Sequence, residues 1–176
     1  MVLGMSILEW LGLALPDERA PGEPGAIHRI ERQLETLEPA RARHLALFAF
    51  LLARVADVDL HVGEAETRQM ERLLEEEGGL PASQASLVVD IAKAENRHFG
   101  PTHNFLAARE FRDLATEDEK RTLLHCLFAV AAADDSISVA EEEAIREISR
   151  ELLLDNEEYL AIRSRFRDKR AVLRKE

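Results

Sequence analysis

The feature of this sequence that most constrains its fold is a pattern that occurs twice. Residues 123–153 begin as an apolar helical run, reach the acids Asp134 and Asp135, and continue into a second helical run that opens with glutamates. Residues 48–74 have the same layout, again with two aspartates in the turn. The second copy begins well over 50 residues after the first. Repeats that form solenoids have periods of roughly 20–50 residues, so each copy belongs to one half of a duplicated domain.

The aspartates suggest the register of the repeat. We align Asp57 with Asp134, an offset of 77 residues. The same offset pairs further residues of matching type: Leu60 with Ile137, and Glu64 with Glu141. Two halves of this kind are expected to pack face to face around their apolar helices, which would bring both acidic turns to one end of the domain.

Apolar residues recur at helical spacing along the chain, and no useful stretch alternates with a period of two. We therefore predict an all-α fold of seven to eight helices. Its two pseudo-repeated halves, residues 40–100 and 116–168, would form one domain. The run 41–56 is apolar on nearly every side after a polar first turn, which is typical of a helix buried at the centre of a domain. A second buried helix is expected after the acids at 117–119.

Capping sequences mark several helix ends. Thr116 and Ser138 are each followed three residues later by a glutamate, Glu119 and Glu141, and this is the pattern of the capping box. The pair Gly78-Gly79 is expected to end the second helix of the first half.

Residues 1–25 differ in character from the repeat. They comprise the apolar stretch MVLGMSILEWLGLAL and a linker rich in proline and glycine. Three residues spaced i, i+3 and i+4 predict a short helix with one apolar side: Ile7, Trp10 and Leu11. We expect this helix to dock on its own domain; the alternative is a membrane surface or a partner helix.

Length and charge limit the possible functions. The 176 residues are enough for one domain, which we place at residues 26–168, with a basic tail at 169–176. Acidic side chains number 34 and basic ones 23, so the net charge is −11. A general nucleic-acid binder is excluded on this ground, because phosphate contacts need clustered lysine and arginine.

The sequence contains no readable catalytic chemistry. Its single cysteine, Cys126, lies in an apolar run and cannot form an internal disulfide, which fits a reducing compartment. The six histidines are scattered, and none of the common nucleophile, phosphate-binding or zinc motifs is present. We expect a protein that is not an enzyme.

The acids of the two turns are candidate metal ligands. Carboxylates from two turns suit a hard cation such as calcium or magnesium. The candidates are Asp57, Asp59, Glu64, Asp134, Asp135 and Glu141. The alternative is that these acids only cap helices, since an acid in a first helical turn is favoured by the helix dipole. An EF-hand is excluded, because Val62 and Val139 stand where its loop requires glycine.

The second copy of the repeat resembles the tellurite-resistance TerB family and its TerB-like relatives. The family pattern is an apolar helix ending in A-D-G, then an apolar residue, a serine or aspartate, a glutamate and an amphipathic helix. The matching residues are Ala133, Asp134, Ile137, Ser138, Glu141, Ile145 and Ile148. A looser first copy consists of Ala56, Asp57, Leu60, Glu64 and Met70, and the likeness covers about residues 40–167. In this alignment the family glycine is replaced by Val58 and by Asp135.

The resemblance implies a non-enzymatic cytoplasmic protein with an all-helical fold of two related halves. It also implies a role in metal or oxyanion stress of the tellurite type, protein partners, peripheral contact with a membrane, and a divalent cation, calcium or magnesium, at the acidic turns. A second implication is a protein-interaction scaffold or a co-chaperone-like accessory domain with no metal site. The sequence leaves the ion, the partners and the oligomeric state open.

Overall fold

The computed structural model of the chain describes residues 36–97 and 101–173. These ranges contain seven α-helices: α1 (Pro39–Ala56), α2 (Glu64–Glu76), α3 (Ala82–Asn96), α4 (Pro101–Leu114), α5 (Glu117–Ala131), α6 (Val139–Glu151) and α7 (Asn156–Ser164). Two short 3-10 helices follow, Arg167–Lys169 and Ala171–Leu173. No strand lies within the described ranges, so the prediction of an all-α fold with seven to eight helices is confirmed.

Several predicted segments fall outside the described residues. They are the N-terminal docking helix and linker of residues 1–25, the first ten residues of the domain predicted at 26–168, and the last three residues of the basic tail. Among the helices that are described, none is both long enough and apolar enough to cross a membrane.

The core forms around the two helices that the sequence predicted to be buried. In α1, Leu47, Leu51 and Leu52 are fully enclosed, and α5 encloses Leu127 and Phe128 to the same degree. Helix α1 packs against α2, α3, α4, α5 and α6. A helix surrounded in this way must be apolar on all sides, and this is why these two helices lack a polar stripe.

The helix ends form as the sequence predicted. Thr116 accepts a hydrogen bond from the Glu119 N–H, and the Glu119 carboxylate accepts the Thr116 N–H at 2.7 Å. Ser138 and Glu141 make the same pair of bonds at the start of α6. Gly79 follows α2 with a φ of +67°, the left-handed conformation that favours glycine after a helix.

The register of the repeat predicted from the aspartates is wrong by two residues. Two backbone hydrogen bonds of the first turn recur 75 residues later. The bond from the Asp57 N–H to the Ala53 carbonyl corresponds to the bond from the Ala132 N–H to the Phe128 carbonyl. The bond from the Leu60 N–H to the Asp57 carbonyl likewise corresponds to the bond from the Asp135 N–H to the Ala132 carbonyl. The partner of Asp134 is therefore Asp59, and the partner of Glu141 is Glu66, because each pair differs by 75. The sequence alignment failed because the first turn has two aspartates, and matching by residue type selected the wrong one.

The two-residue correction of the register also changes which residue of the first copy stands at the glycine position of the family's A-D-G pattern. Leu60 has a φ of 65° and Asp135 a φ of 70°, so both lie in the left-handed region. These two residues are 75 apart and occupy the same place in their turns. The residue at the glycine position of the first copy is thus Leu60 and not Val58. A side chain in this conformation costs roughly 1–2 kcal/mol.

The chain after α7 returns to the second turn. The Ile137 N–H bonds to the Lys169 carbonyl at 2.8 Å, and the Ala171 N–H bonds to the Ile137 carbonyl at 3.0 Å. The buried carboxylate of Glu142 pairs with Arg170 and with Arg163. Basic residues near the C-terminal end of the described chain therefore neutralise acids of the second half.

Candidate functional site

The acidic site is built from two corners that share one backbone geometry. Each corner is a turn with the start of the helix that follows it: residues 57–63 with the start of α2, and residues 132–138 with the start of α6. In the first corner, the Asp59 Oδ1 accepts the His61 N–H at 3.0 Å. In the second, the Asp134 Oδ1 accepts the Ser136 N–H, also at 3.0 Å. An aspartate that bonds the backbone two residues ahead stabilises a turn, and here it also fixes the direction of the carboxylate.

A glutamate in the first turn of the following helix completes each corner. The Glu66 Oε2 accepts the Gly63 N–H at 2.7 Å, and the Glu141 Oε2 accepts the Ser138 N–H at 2.7 Å. The interpretation of Glu141 as a helix cap is therefore confirmed. Glu66 makes the same backbone contact, although a glycine precedes its helix in place of a serine.

Asp59, Glu66, Asp134 and Glu141 form what we call the acidic quartet. Each of the four carboxylates uses one oxygen to hold the turn or helix end. The Ser138 side chain adds a further hydrogen bond to the Glu141 carboxylate. The quartet therefore presents four anchored carboxylates whose oxygens keep uncommitted lone pairs.

The pKa values of the two glutamates show that the corners interact. Burial raises the pKa of Glu66 to about 7; the Gly63 N–H opposes this, and the charges of Glu141, Asp134 and Asp59 add to it. Burial also raises the pKa of Glu141, against the hydrogen bonds from Ser138, with further contributions from Asp134 and Asp59. Each glutamate thus lies within electrostatic reach of an aspartate in the other corner.

The structure separates the six predicted ligands into two groups. It places Asp59, Asp134 and Glu141, as members of the quartet, within electrostatic reach of Glu66. Glu64 points outward and pairs with Arg68, one helical turn further on. Asp135 pairs with Lys169 of the chain after α7. Asp57 follows the end of α1, and its Oδ1 is buried without a hydrogen-bond partner among the described residues.

Sequence reasoning missed Glu66, the most buried member of the quartet at 8% exposure. The register of 77 residues placed Glu64 opposite Glu141 and hid the correct pairing. One signal could have found it. Both helices begin after a residue in extended conformation, and counting three residues from Gly63 leads to Glu66, as counting from Ser138 leads to Glu141.

The donor chemistry of the quartet fits a hard cation, since all of its atoms are carboxylate oxygens. The carboxylates of the quartet lie farther apart than the ligands of a formed metal site. Across the two described ranges, no three histidine, cysteine, aspartate or glutamate side chains converge closely enough to hold an ion. Binding would require the carboxylate oxygens to move toward one another.

Comparison with known proteins agrees with the fold. The family model described as tellurite resistance protein TerB matches residues 44–164, which is more than half of the chain and includes both corners. No curated protein matches the chain, and no solved structure matches it. The extent of the family match, together with the all-α architecture, shows that the chain belongs to the TerB family.

Proposed function

We propose that this chain is a non-enzymatic TerB module that binds a divalent cation, calcium or magnesium, between its two acidic corners, and that it acts in a metal or oxyanion stress response. One observation carries the proposal: the four carboxylates of the quartet interact across the corners. Crowded carboxylates repel one another, and a cation placed among them relieves that repulsion.

The anchoring of the quartet supports a binding role. The Glu66 and Glu141 carboxylates are held by backbone N–H groups, so one oxygen of each is positioned before any ligand arrives. A cation with ligand distances of about 2.3–2.6 Å would draw the second oxygens inward. The two corners would then be tied together, and the negative face would be neutralised for a protein partner.

Cation titration of the full chain, treated first with chelator, tests this proposal. Calcium, magnesium and manganese at millimolar concentration are expected to give a calorimetric signal and to raise the melting temperature. A ligand at 100 times its Kd stabilises the folded state by about 2.7 kcal/mol.

Two variants separate a cation site from general charge screening. The double variant Glu66→Gln with Glu141→Gln should lose the response while remaining folded, because glutamine retains an oxygen that accepts the backbone N–H. Glu64→Gln is the matched control, since its exposed side chain lies in the same first turn and pairs with Arg68. A wild-type chain without heat or shift would refute the proposal, and so would a double variant that responds like the wild type.

A second candidate function is a protein-interaction scaffold or co-chaperone-like accessory domain with no metal site. It is supported by Phe105 and Leu106 of α4, whose apolar side chains are 47% and 50% exposed. Apolar side chains exposed together as a contiguous patch are a feature of protein-interaction sites. The same titration distinguishes the two candidates, because a scaffold of this kind predicts no specific response to cations.

A further inference from the structure

A cavity lies away from the acidic corners, where α1 and α5 begin and α2 and α4 end. Its volume is about 450 Å³. Leu45, Phe48 and Leu114 contribute apolar surface, and Leu114 is 50% exposed. Cavities of this size are large enough to bury most of a small ligand or several large side chains.

Three polar side chains around the cavity, those of Arg41, His44 and Glu119, are engaged with the protein itself. Arg41 donates to the carbonyl of Gly78. The Glu119 carboxylate accepts the Thr116 N–H and lies 3.9 Å from the His44 ring nitrogen. Burial lowers the pKa of His44, so its ring is neutral near pH 7. These engaged groups favour an apolar occupant over a small ion.

The described chain begins at the rim of this cavity. The structure is described from Thr36 onward, and Glu38 and Ala40 already line the opening. Before that point stand 35 residues, of which the first fifteen contain a single charged side chain, Glu9. The chain therefore carries an apolar segment whose connection to the domain emerges beside a cavity with apolar walls and a polar rim.

We propose that residues 1–15 of this chain occupy the cavity, with Trp10 as the central contact beside Leu114. The predicted helical spacing puts Ile7, Trp10 and Leu11 on one side, which matches an opening walled by leucine and phenylalanine. A tryptophan side chain has a large apolar surface and a single N–H, so it suits a pocket that combines apolar walls with a polar rim.

The connection between segment and cavity is long enough for this contact. Residues 16–35 number twenty and could extend to about 66–72 Å at most. The anchor at Thr36 is two residues from the rim residue Glu38, so the segment has ample reach to fold back. A tether of this kind gives an effective concentration in the millimolar range, which favours docking within one chain over docking between chains at micromolar concentration.

Fluorescence of the full chain tests the proposal directly, because Trp10 is the only tryptophan in the sequence. In buffer at micromolar concentration, its emission should be blue-shifted, with a several-fold loss of quenching by iodide relative to free tryptophan. Leu114→Glu introduces a charge into the cavity wall at a half-exposed position. This variant should shift the emission to the red and restore quenching, with the melting profile of the domain retained.

Leu106→Glu provides the matched control. Leu106 lies on the same helix with the same 50% exposure and does not line the cavity, so its variant should leave Trp10 fluorescence unchanged. Four results would overturn the proposal: iodide-accessible Trp10 in the wild type, a protected Trp10 that ignores Leu114→Glu, a response to Leu106→Glu instead, or a blue shift that needs higher protein concentration or added anionic lipid vesicles.

Discussion

Replacement of Glu66 by glutamine is expected to stabilise the cation-free protein at neutral and alkaline pH. The folded pKa of Glu66 is about 7, against an ordinary value of 4.5. Between pH 4.5 and about 7, the Glu66 side chain is deprotonated in the unfolded chain and protonated in the folded chain. The folded state therefore binds more protons, and the stability contributed at this position falls as the pH rises from about 4.5 to 7.

The size of the effect follows from the shift. Each unit of pKa difference corresponds to about 1.4 kcal/mol, so the full shift of Glu66 would amount to roughly 3 kcal/mol. Partial access of water to the quartet reduces this, and we expect roughly 1.5–3 kcal/mol. Glutamine keeps an oxygen for the Gly63 N–H, so the substitution removes the charge and retains the helix cap.

Urea unfolding in the presence of chelator, at pH 5, 6, 7 and 8, measures the effect. The free energy of unfolding of Glu66→Gln minus that of the wild type should grow across this range. His44 and His125, whose pKa values are lowered by burial, also titrate here, but they contribute equally to both proteins and cancel in the difference. Glu64→Gln should follow the wild type. A difference that stays constant from pH 5 to pH 8 would refute the account of the quartet.

Three further substitutions test the packing of the domain by denaturant unfolding. Arg54→Ala should lower the free energy of unfolding by roughly 3–5 kcal/mol, because it leaves the nearly buried carboxylate of Glu151 without its partner. The control Arg68→Ala, on the exposed side of α2, should lower it by less than about 1 kcal/mol. Equal losses in the two variants would contradict the argument from burial. Phe111→Ala should cost about 3–5 kcal/mol, since this ring is fully enclosed, and a loss near zero would mean that the core is packed differently. Leu60→Gly should stabilise by about 0.5–1 kcal/mol, because it relieves a left-handed conformation at an exposed side chain; destabilisation would show that Leu60 contributes packing that its exposure does not reveal.

The helices and their ends could be predicted from local sequence because their causes are local. Apolar spacing located the buried helices α1 and α5. The pairs Thr116 with Glu119 and Ser138 with Glu141 marked helix starts, since a capping box depends only on residues three apart. The resemblance in the second half led to the family that the comparison supports.

Membership of the acidic site could not be predicted in the same way. Asp57 and Asp59 are the same residue type, so residue identity does not distinguish them. Only the backbone hydrogen bonds show which one corresponds to Asp134. The exposure of Glu64 and the burial of Glu66 also depend on how α2 is rotated against its neighbours. The buried residues Met70, Leu73 and Leu74 mark the inward face of α2, and helical spacing places Glu66 on that face. The pattern within α2 does not show which side chains of the other half this face meets.

The sequence by itself determined that the chain is a doubled all-helical domain with acidic turns, because periodicity, capping and charge act over a few residues. Only the tertiary structure decided that Glu66 and Glu141 lie within electrostatic reach of each other and of Asp59 and Asp134. Electrostatic interaction among carboxylates depends on distance in space and on burial, and packing of the two halves around α1 and α5 sets both.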